Sequence, residues 1–315
     1  MRYYFAPLEG LTDSIHRRLH HTYFPGVDRY YTPFLSPTVH RTLTPREARE
    51  LPPADTVGFP IVPQLLTKVP EDFLWMAEVC RDLGYEEVNL NVGCPSGTVT
   101  AKGKGAGMLR DLDALDCFLD NIFANAPLPI SVKTRIGFEK PEEFAGILTV
   151  FNRYPVRELT VHPRVRTAFY GGSVDMSIFA YAAQESKAPL CYNGSLFTKA
   201  QAEEFSAVYP QVSAVMLGRA LIADPGMLTP GGTTAPKLEM FHDCLLEEYT
   251  HSFGGSRNAM FRMKENWRYW LCKFEDSEKL GKRLRKATDL GDYKAVAKEI
   301  FHCLPVRETL QPDWD

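Results

Sequence analysis

Short runs of β-branched and aromatic residues recur along the chain, each followed by a turn signal and then by apolar positions at helical spacing. Eight such runs stand at Tyr3–Ala6, Arg29–Phe34, Ile61–Leu65, Glu87–Asn91, Ile130–Thr134, Glu158–His162, Leu190–Tyr192 and Ala214–Leu217. Between them lie helix-like segments such as Asp13–Tyr23, Glu71–Leu83, Asp111–Asn125, Glu142–Asn152 and Lys199–Phe205. Asp13 and Asp111 are placed to cap the first turns of two of them. Eight alternations within about 220 residues predict a (β/α)8 barrel, an α/β fold whose strands are short and buried on both faces. A doubly wound sheet is the rival, and the lack of a glycine-rich dinucleotide turn after the first strand argues against it. After Gly226 the segment TPGGTTAP reads as a linker, and from Lys237 onward no strand run remains. The expected organisation is therefore a barrel over 1–230 followed by a small all-helical domain over 237–315. Within Met260–Phe274 apolar residues fall at 260, 263, 267, 270, 271 and 274, one helical stripe. That stripe assigns Trp267 and Trp270 to a core and leaves Arg262, Arg268 and Lys273 free to face solvent or phosphate.

Composition narrows the class. With 315 residues, 44% hydrophobic and 24% charged, the chain has ordinary globular usage, which excludes disordered, collagen-like and coiled-coil classes. No run reaches the ~20 apolar residues of a membrane span, and MRYYFAPLEG lacks a signal-peptide pattern, so a cytoplasmic address is expected. Seven scattered cysteines without a CxxC pair indicate neither a disulfide framework nor a metal site. Charge is unevenly spread. Between Arg257 and Lys286 ten basic residues face four acids, a local +6 that leaves −9 for the rest of a chain whose net charge is −3. A basic patch on an otherwise acidic protein points to a polyanion partner or to a solvated helix face.

Polar residues gather at the ends of the strand runs, the positions that converge on the catalytic face of a barrel. Asn89-Leu-Asn91-Val-Gly93-Cys94-Pro95 opens a loop that also holds Gly97, Gly103, Gly105 and Gly107. A thiol there, with a reference pKa of about 8.5, is mostly protonated at neutral pH and suits a proton donor; the alternative is a buried, inert cysteine. The loop lacks the spacing of a Walker phosphate loop and contains no GxGxxG. Lys133-Thr-Arg135-Ile-Gly137 follows the fifth run and His162-Pro-Arg164 the sixth, while Asn193-Gly194-Ser195 and Gly218-Arg219 follow the seventh and eighth. In barrels the last two loops form the usual phosphate site. The residues thus describe a barrel enzyme holding a phosphate-bearing cofactor or substrate.

The sequence resembles the flavin-dependent tRNA-dihydrouridine synthases. The resemblance rests on Ala6 to Asp13, Pro63-Gln64-Leu65, Asn89 to Pro95, Lys133 to Gly137, His162-Pro-Arg164, Tyr170 with Gly172, Asn193-Gly194 and Gly218-Arg219, all in order. It continues through Arg262-Met-Lys264 and Trp270 into the basic run to Lys286, similar to the family's helical RNA-binding domain. It implies that Pro7 and Leu8 back the flavin ring of FMN, that Gln64, Lys133 and His162 border it, and that Asn193, Gly194, Gly218 and Arg219 hold its phosphate. Asn91 and Arg135 would help place the target uracil, with Arg262, Lys264 and Arg268 on the RNA. The implied reaction is reduction of uridine to 5,6-dihydrouridine in tRNA, by a monomer without metal. NADPH, or NADH, reduces the flavin; hydride passes from flavin N5 to C6 and a proton from Cys94 to C5. Three positions depart from the family pattern: Thr67, Val165 and Ser195 stand where glycine, threonine and an acid are usual. The alternatives are an FMN barrel acting on a small molecule, such as a dihydroorotate-type or ene-reducing enzyme, and an RNA-binding module without catalysis.

Overall fold

The computed structural model describes residues 1–38, 40–310 and 312. Nine strand segments form one sheet: β1 (Arg2–Phe5), β2 (Arg29–Tyr31), β3 (Ile61–Val62), β4 (Gln64–Leu65), β5 (Val88–Val92), β6 (Ile130–Gly137), β7 (Leu159–Val165), β8 (Leu190–Tyr192) and β9 (Ala214–Leu217). Their order is β3-β2-β1-β9-β8-β7-β6-β5-β4. The two end segments are halves of one expected strand. Pro63 has no N–H to give to a ladder, so the run breaks there; Ile61 and Val62 pair with β2, and Gln64 and Leu65 with β5. A parallel bridge from Leu35 to Leu65 runs alongside. The sheet thereby closes as the expected (β/α)8 barrel, with eight strands in nine pieces.

The helices are α1 (Ser14–Tyr23), α2 (Pro45–Glu50), α3 (Pro70–Asp82), α4 (Gly97–Thr100), α5 (Leu112–Asn125), α6 (Phe144–Phe151), α7 (Met176–Glu185), α8 (Lys199–Val208), α9 (Arg219–Ala223), α10 (Ala235–Ser252), α11 (Ser256–Trp270), α12 (Glu278–Lys286) and α13 (Leu290–Cys303). Asp13 and Asp111 cap as expected, accepting from the backbone N–H of His16 and of Ala114 at 3.0 Å. None of the described helices is long and apolar enough to cross a membrane.

Two compact units make up the chain. The first contains Met1–Pro7, Asp28–Ser195 and Phe205–Met216; the second contains Leu8–Val27, Leu196–Glu204 and everything from Leu217 onward. In the first unit strand residues such as Val88, Leu90, Val132 and Val161 are all inaccessible to solvent, on the face of the sheet opposite to that of Asn89, Asn91, Lys133 and His162. At the N-terminal ends of the strands lies an ionic floor. Glu158 accepts from Arg2, Tyr4 and Ser213, and Glu87 from Arg29 and Arg157. Conserving charge in pairs there is what makes buried carboxylates tolerable.

In the second unit the expected stripe of α11 is buried throughout: Met260, Met263, Trp267, Trp270, Leu271 and Phe274 enter one core with Phe241, Leu245, Tyr293 and Phe301. The tryptophans are core residues, as their spacing predicts. Trp267 Nε1 donates to Tyr293 Oη at 2.9 Å, which satisfies the indole in an otherwise apolar interior. Leu19 of α1 and Phe24 just after it belong to the same core. Lys273 corrects one expectation. It is buried, and its ammonium donates to Asp224 Oδ2 at 2.7 Å and to the Glu308 carbonyl at 3.3 Å. The helical stripe ends at Trp270 in a 3-10 turn that swings Lys273 inward. The TPGGTTAP segment is also more than a tether: Gly226 N donates to Thr233 Oγ1 at 2.7 Å, and a Cβ on Gly226 would stand 2.7 Å from the Gly232 backbone.

Candidate active site

The strand register of the first unit sets Gln64 beside Asn89, Asn89 beside Ser131, Asn91 beside Lys133, Lys133 beside Thr160, and Arg135 beside His162. Neighbouring residues in register share a face of the sheet, so these polar side chains form three rows that step along the strands toward their C-terminal ends. The Lys133–Gly137 and His162–Arg164 segments lie inside β6 and β7, where the sequence had suggested the loops after them. Both strands extend because their backbones stay paired as far as Gly137 and Val165, across a register shift after Arg135.

The first row is a chain of side-chain amides and hydroxyls. Thr32 Oγ1 accepts from Gln64 N at 2.9 Å, Gln64 Nε2 donates to Asn89 Oδ1 at 2.8 Å, and Asn89 Nδ2 donates to Ser131 Oγ at 2.9 Å. Asn91 Nδ2 donates to Gln64 Oε1 at 2.7 Å. Such a chain holds the Gln64 amide in one orientation. Gln64 and Asn91 stand out in the sequence, whereas Thr32, Asn89 and Ser131 carry no assigned role there; the signal for the last two is the period-two spacing of Asn89 with Asn91 and of Ser131 with Lys133 and Arg135.

Asn91 also sets the thiol loop. Its Oδ1 accepts from the backbone N–H groups of Gly93 at 3.0 Å and Cys94 at 2.9 Å, which fixes the turn that carries Cys94. The loop returns to it, since Ala106 N donates to the Cys94 carbonyl at 3.1 Å. Gly105, at φ +57°, passes so close that a Cβ there would lie 3.0 Å from Cys94 Cβ. Cys94 is partly exposed, unlike the buried Cys80 and Cys191.

Lys133 stands among several cations. Burial, followed by the Arg135 guanidinium, pulls its ammonium down to about 8. Arg135 is almost wholly buried and is used within the protein: Nε donates to the Gly93 carbonyl at 3.0 Å, Nη1 to that of Val165 at 2.9 Å and Nη2 to that of Phe169 at 2.5 Å. It ties the thiol loop to the loop after β7. Burial lowers its proton affinity as well, to about 10, where it remains a cation at neutral pH. His162 Nε2 lies 3.1 Å from Arg164 Nη1, and Arg164 reaches the Gly172 carbonyl and Ser195 Oγ. Arg166 completes the clamp through the Pro95 carbonyl at 3.1 Å and Thr100 Oγ1 at 3.2 Å. Phe169 (φ 49°) and Tyr170 stand exposed at the tip of this loop.

At the end of β8, Asn193 Nδ2 donates to the Met216 carbonyl at 2.8 Å. Gly194 admits no side chain, since a Cβ would fall 2.0 Å from Tyr192 Oη. Pro7 lies in this unit, whereas Leu8, Gly218, Arg219, Arg262, Lys264 and Arg268 belong to the second. Leu8 opens a tight turn in which its N–H donates to Thr12 Oγ1 at 2.8 Å. Arg219 starts α9 and lies 5.7 Å from the centre of the Phe197 ring. Arg262 stands 3.9 Å from Asp13, and Lys264 donates to the Arg285 and Ala287 carbonyls at the end of α12. Arg268 is exposed, as are Lys279, Lys282, Arg283, Arg285 and Lys286 around α12. Among the described residues no group of three or more His, Cys, Asp or Glu could hold a metal ion.

The dihydrouridine synthase (Dus) family model matches residues 4–299. A probable tRNA-dihydrouridine synthase 1 of Synechocystis is 31% identical over 198 residues, covering 61% of this chain and 54% of that one, about half its length. A tRNA-dihydrouridine(16) synthase of Escherichia coli is 26% identical over 318 residues, covering 95% of this chain and 98% of that one. Among solved structures, the old yellow enzyme homologue of Zymomonas mobilis superposes with a TM-score of 0.54 at 11% identity, over 71% of this chain and 86% of that one. Morphinone reductase superposes with a TM-score of 0.50 at 13% identity, over 72% and 84%. Both are likenesses of barrel fold.

Proposed function

The chain belongs to the dihydrouridine synthase family, and from that premise we propose that it reduces uridines of tRNA to 5,6-dihydrouridine, with FMN bound in the barrel and NADPH, or NADH, as reductant. One observation carries the reading: a partly exposed thiol on a glycine-rich loop is stapled by Asn91, which also donates to Gln64 of the amide row and stands in register with the half-buried Lys133. The curated relatives named above act on tRNA by their names, which supports the substrate.

The residues fit a flavin. Lys133 is a cation that the fold holds at a cost, and an anionic partner would relieve it. Gln64 presents an amide oriented on both sides, as recognition of a polar ring edge requires. Gly194 leaves backbone where a side chain would otherwise stand. FMN, when bound, supplies the hydride that saturation of the uracil C5–C6 double bond requires. Lys133 holds positive charge beside it and stabilises the negative charge of its reduced form. Cys94 delivers a proton to C5. Asn91 fixes the backbone of Cys94, and Arg135 fixes the loops on either side, so both place the uracil by shaping its surroundings. Pro7, Leu8 and His162 border the ring, while Asn193, Gly194, Gly218 and Arg219 take the phosphate, an assignment carried by the family resemblance. A base within folded RNA must leave its stack to reach such a pocket. The exposed cations of α12 with Arg262, Lys264 and Arg268 hold the backbone, a salt-sensitive attraction with little sequence content. We place the reaction in the cytoplasm and in a monomer.

The test is dihydrouridine measured by mass spectrometry in undermodified tRNA incubated with the protein, FMN and NADPH, beside Cys94→Ala. Wild type should form product, and the variant should lose roughly a hundredfold or more in rate while keeping flavin and RNA affinity. Loss of flavin from the variant would make Cys94 structural. A wild-type protein that oxidises NADPH and leaves tRNA unchanged would move the substrate to another RNA or to a small molecule. Position 16 is the first to map, because relatives named for it align over nearly their whole length.

A further inference from the structure

The loops after β4 and β5 bring basic side chains to one rim of the barrel. Lys68 follows β4, and Lys102 and Lys104 lie on the loop that carries Cys94. Gly103, between the last two, takes a left-handed conformation (φ +69°), and a Cβ there would stand 3.2 Å from Lys68 Nζ and 3.4 Å from its Cδ. The Lys68 side chain therefore lies against the very backbone that joins Lys102 to Lys104. Lys104 Nζ donates to Ser36 Oγ at 3.0 Å, which turns it toward the same rim. Lys68 and Lys102 are exposed and Lys104 is half-buried. Burial lowers the pKa of Lys104, with Lys102 and Lys68 adding to the effect; Asp72 opposes it, but that carboxylate also pairs with Arg41 at 3.4 Å. Ammonium groups gathered so closely repel one another, and a multivalent anion reverses the sign of that interaction.

We propose that Lys68, Lys102 and Lys104 form a phosphate site that grips the RNA backbone beside the extruded nucleotide. The proposal rests on the tRNA reading above. Phosphate is the chemistry the three ammonium groups recognise. The RNA backbone is the source favoured here, because the cations span two loops and a strand offers phosphates in regular succession along its length, whereas a nicotinamide dinucleotide phosphate offers only its pyrophosphate and one 2′-phosphate. The site would act independently of the basic helices near the chain end. It places backbone contacts on the loop that bears the proton donor, so that RNA binding and the setting of Cys94 are mechanically linked.

The experiment is equilibrium binding of in vitro transcribed tRNA to the flavin-loaded, full-length protein across a KCl series, with the KM for NADPH measured on the same samples. Lys68→Ala/Lys102→Ala/Lys104→Gln should weaken binding by roughly tenfold or more and flatten the plot of log K against log salt by about two. Lys102→Ala alone, an exposed substitution, should flatten it by about one and keeps the test available if the triple variant misfolds. Unchanged affinity and slope in both variants, with wild type binding tRNA, would overturn the lysine site and leave the tRNA reading standing. Unchanged RNA binding with a raised KM for NADPH would assign the lysines to the dinucleotide and overturn it likewise. Failure of wild type to bind any tRNA would overturn the tRNA reading and this proposal with it.

Discussion

Lys133 and Arg135 stand two residues apart on one face of β6, yet the fold treats their charges differently. The Arg135 guanidinium has five N–H donors in a fixed fork, and three of them go to backbone carbonyls of two separate loops. Lysine could not reach all three. We expect Arg135→Lys to destabilise the protein by about 1–3 kcal/mol and to expose the segment 166–172 to proteolysis; equal protease resistance would show that Arg166 alone holds it. For Lys133 the sign runs the other way. Its value near 8 in the fold lies below the unfolded reference of about 10.4. Below pH 8 the ammonium is charged in both states and its burial costs stability, on the order of 3 kcal/mol at most. That cost fades as the pH rises from 8 toward 10. Lys133→Met should therefore melt above the parent at pH 7 without cofactor, with the gap closing in alkali, while flavin affinity falls. A lower melting temperature at pH 7 would mean that the ammonium is compensated within the protein. That lysine and arginine matter here was legible in the sequence; which of them is free for a ligand was not, because it depends on where carbonyls of two distant loops come to lie.

At the scale of elements, the apolar pattern placed all eight strands, since alternation and turn residues are local properties. What it blurred were ends and breaks. Pro63 divides one strand because a missing N–H matters only when a ladder is present to need it, and β6 and β7 run on because each pairs with the other. The thiol loop shows the same division. Its glycines are visible in the sequence, but the close approaches that Gly105 and Gly107 serve are not. Gly107 illustrates it: a Cβ would stand 2.9 Å from the Thr100 carbonyl oxygen and 3.1 Å from its Cα, both backbone atoms that cannot turn aside. Gly107→Ala should cost about 1–3 kcal/mol in denaturant unfolding and reduce turnover further by displacing Cys94. An unperturbed midpoint together with wild-type turnover would show the loop to be freely adaptable.

The whole molecule divides in a way that composition did not announce. A basic stretch beginning at Arg257 suggests a tail that could be removed from a self-sufficient barrel. Instead α1, from the start of the chain, sends Leu19 and Phe24 into the core built by α10 to α13, with His16 edge-on to Phe241 at 5.4 Å between ring centres. A chain cut before Ala235 would expose that face of α1, and we expect it to be insoluble or to melt well below the parent. A soluble, cooperatively melting fragment would refute this. Point substitutions on α12 are the sounder probe of RNA affinity: Lys282→Glu/Arg285→Glu should raise the tRNA dissociation constant roughly tenfold with a shallower salt slope and leave the melting temperature near that of wild type. By itself the sequence determined the repeating β/α order, the family, the thiol at a strand end and the identity of the core stripe in α11. These follow from periodicity and motif, which are written along the chain. Only the tertiary structure decided that Asn91 and Arg135 use their hydrogen bonds to hold loops, that Lys273 is buried against Asp224, and that Lys68 lies against Gly103 between Lys102 and Lys104. Those facts depend on pairing between residues far apart in sequence, and solvent access and charge proximity exist only once the chain has closed on itself.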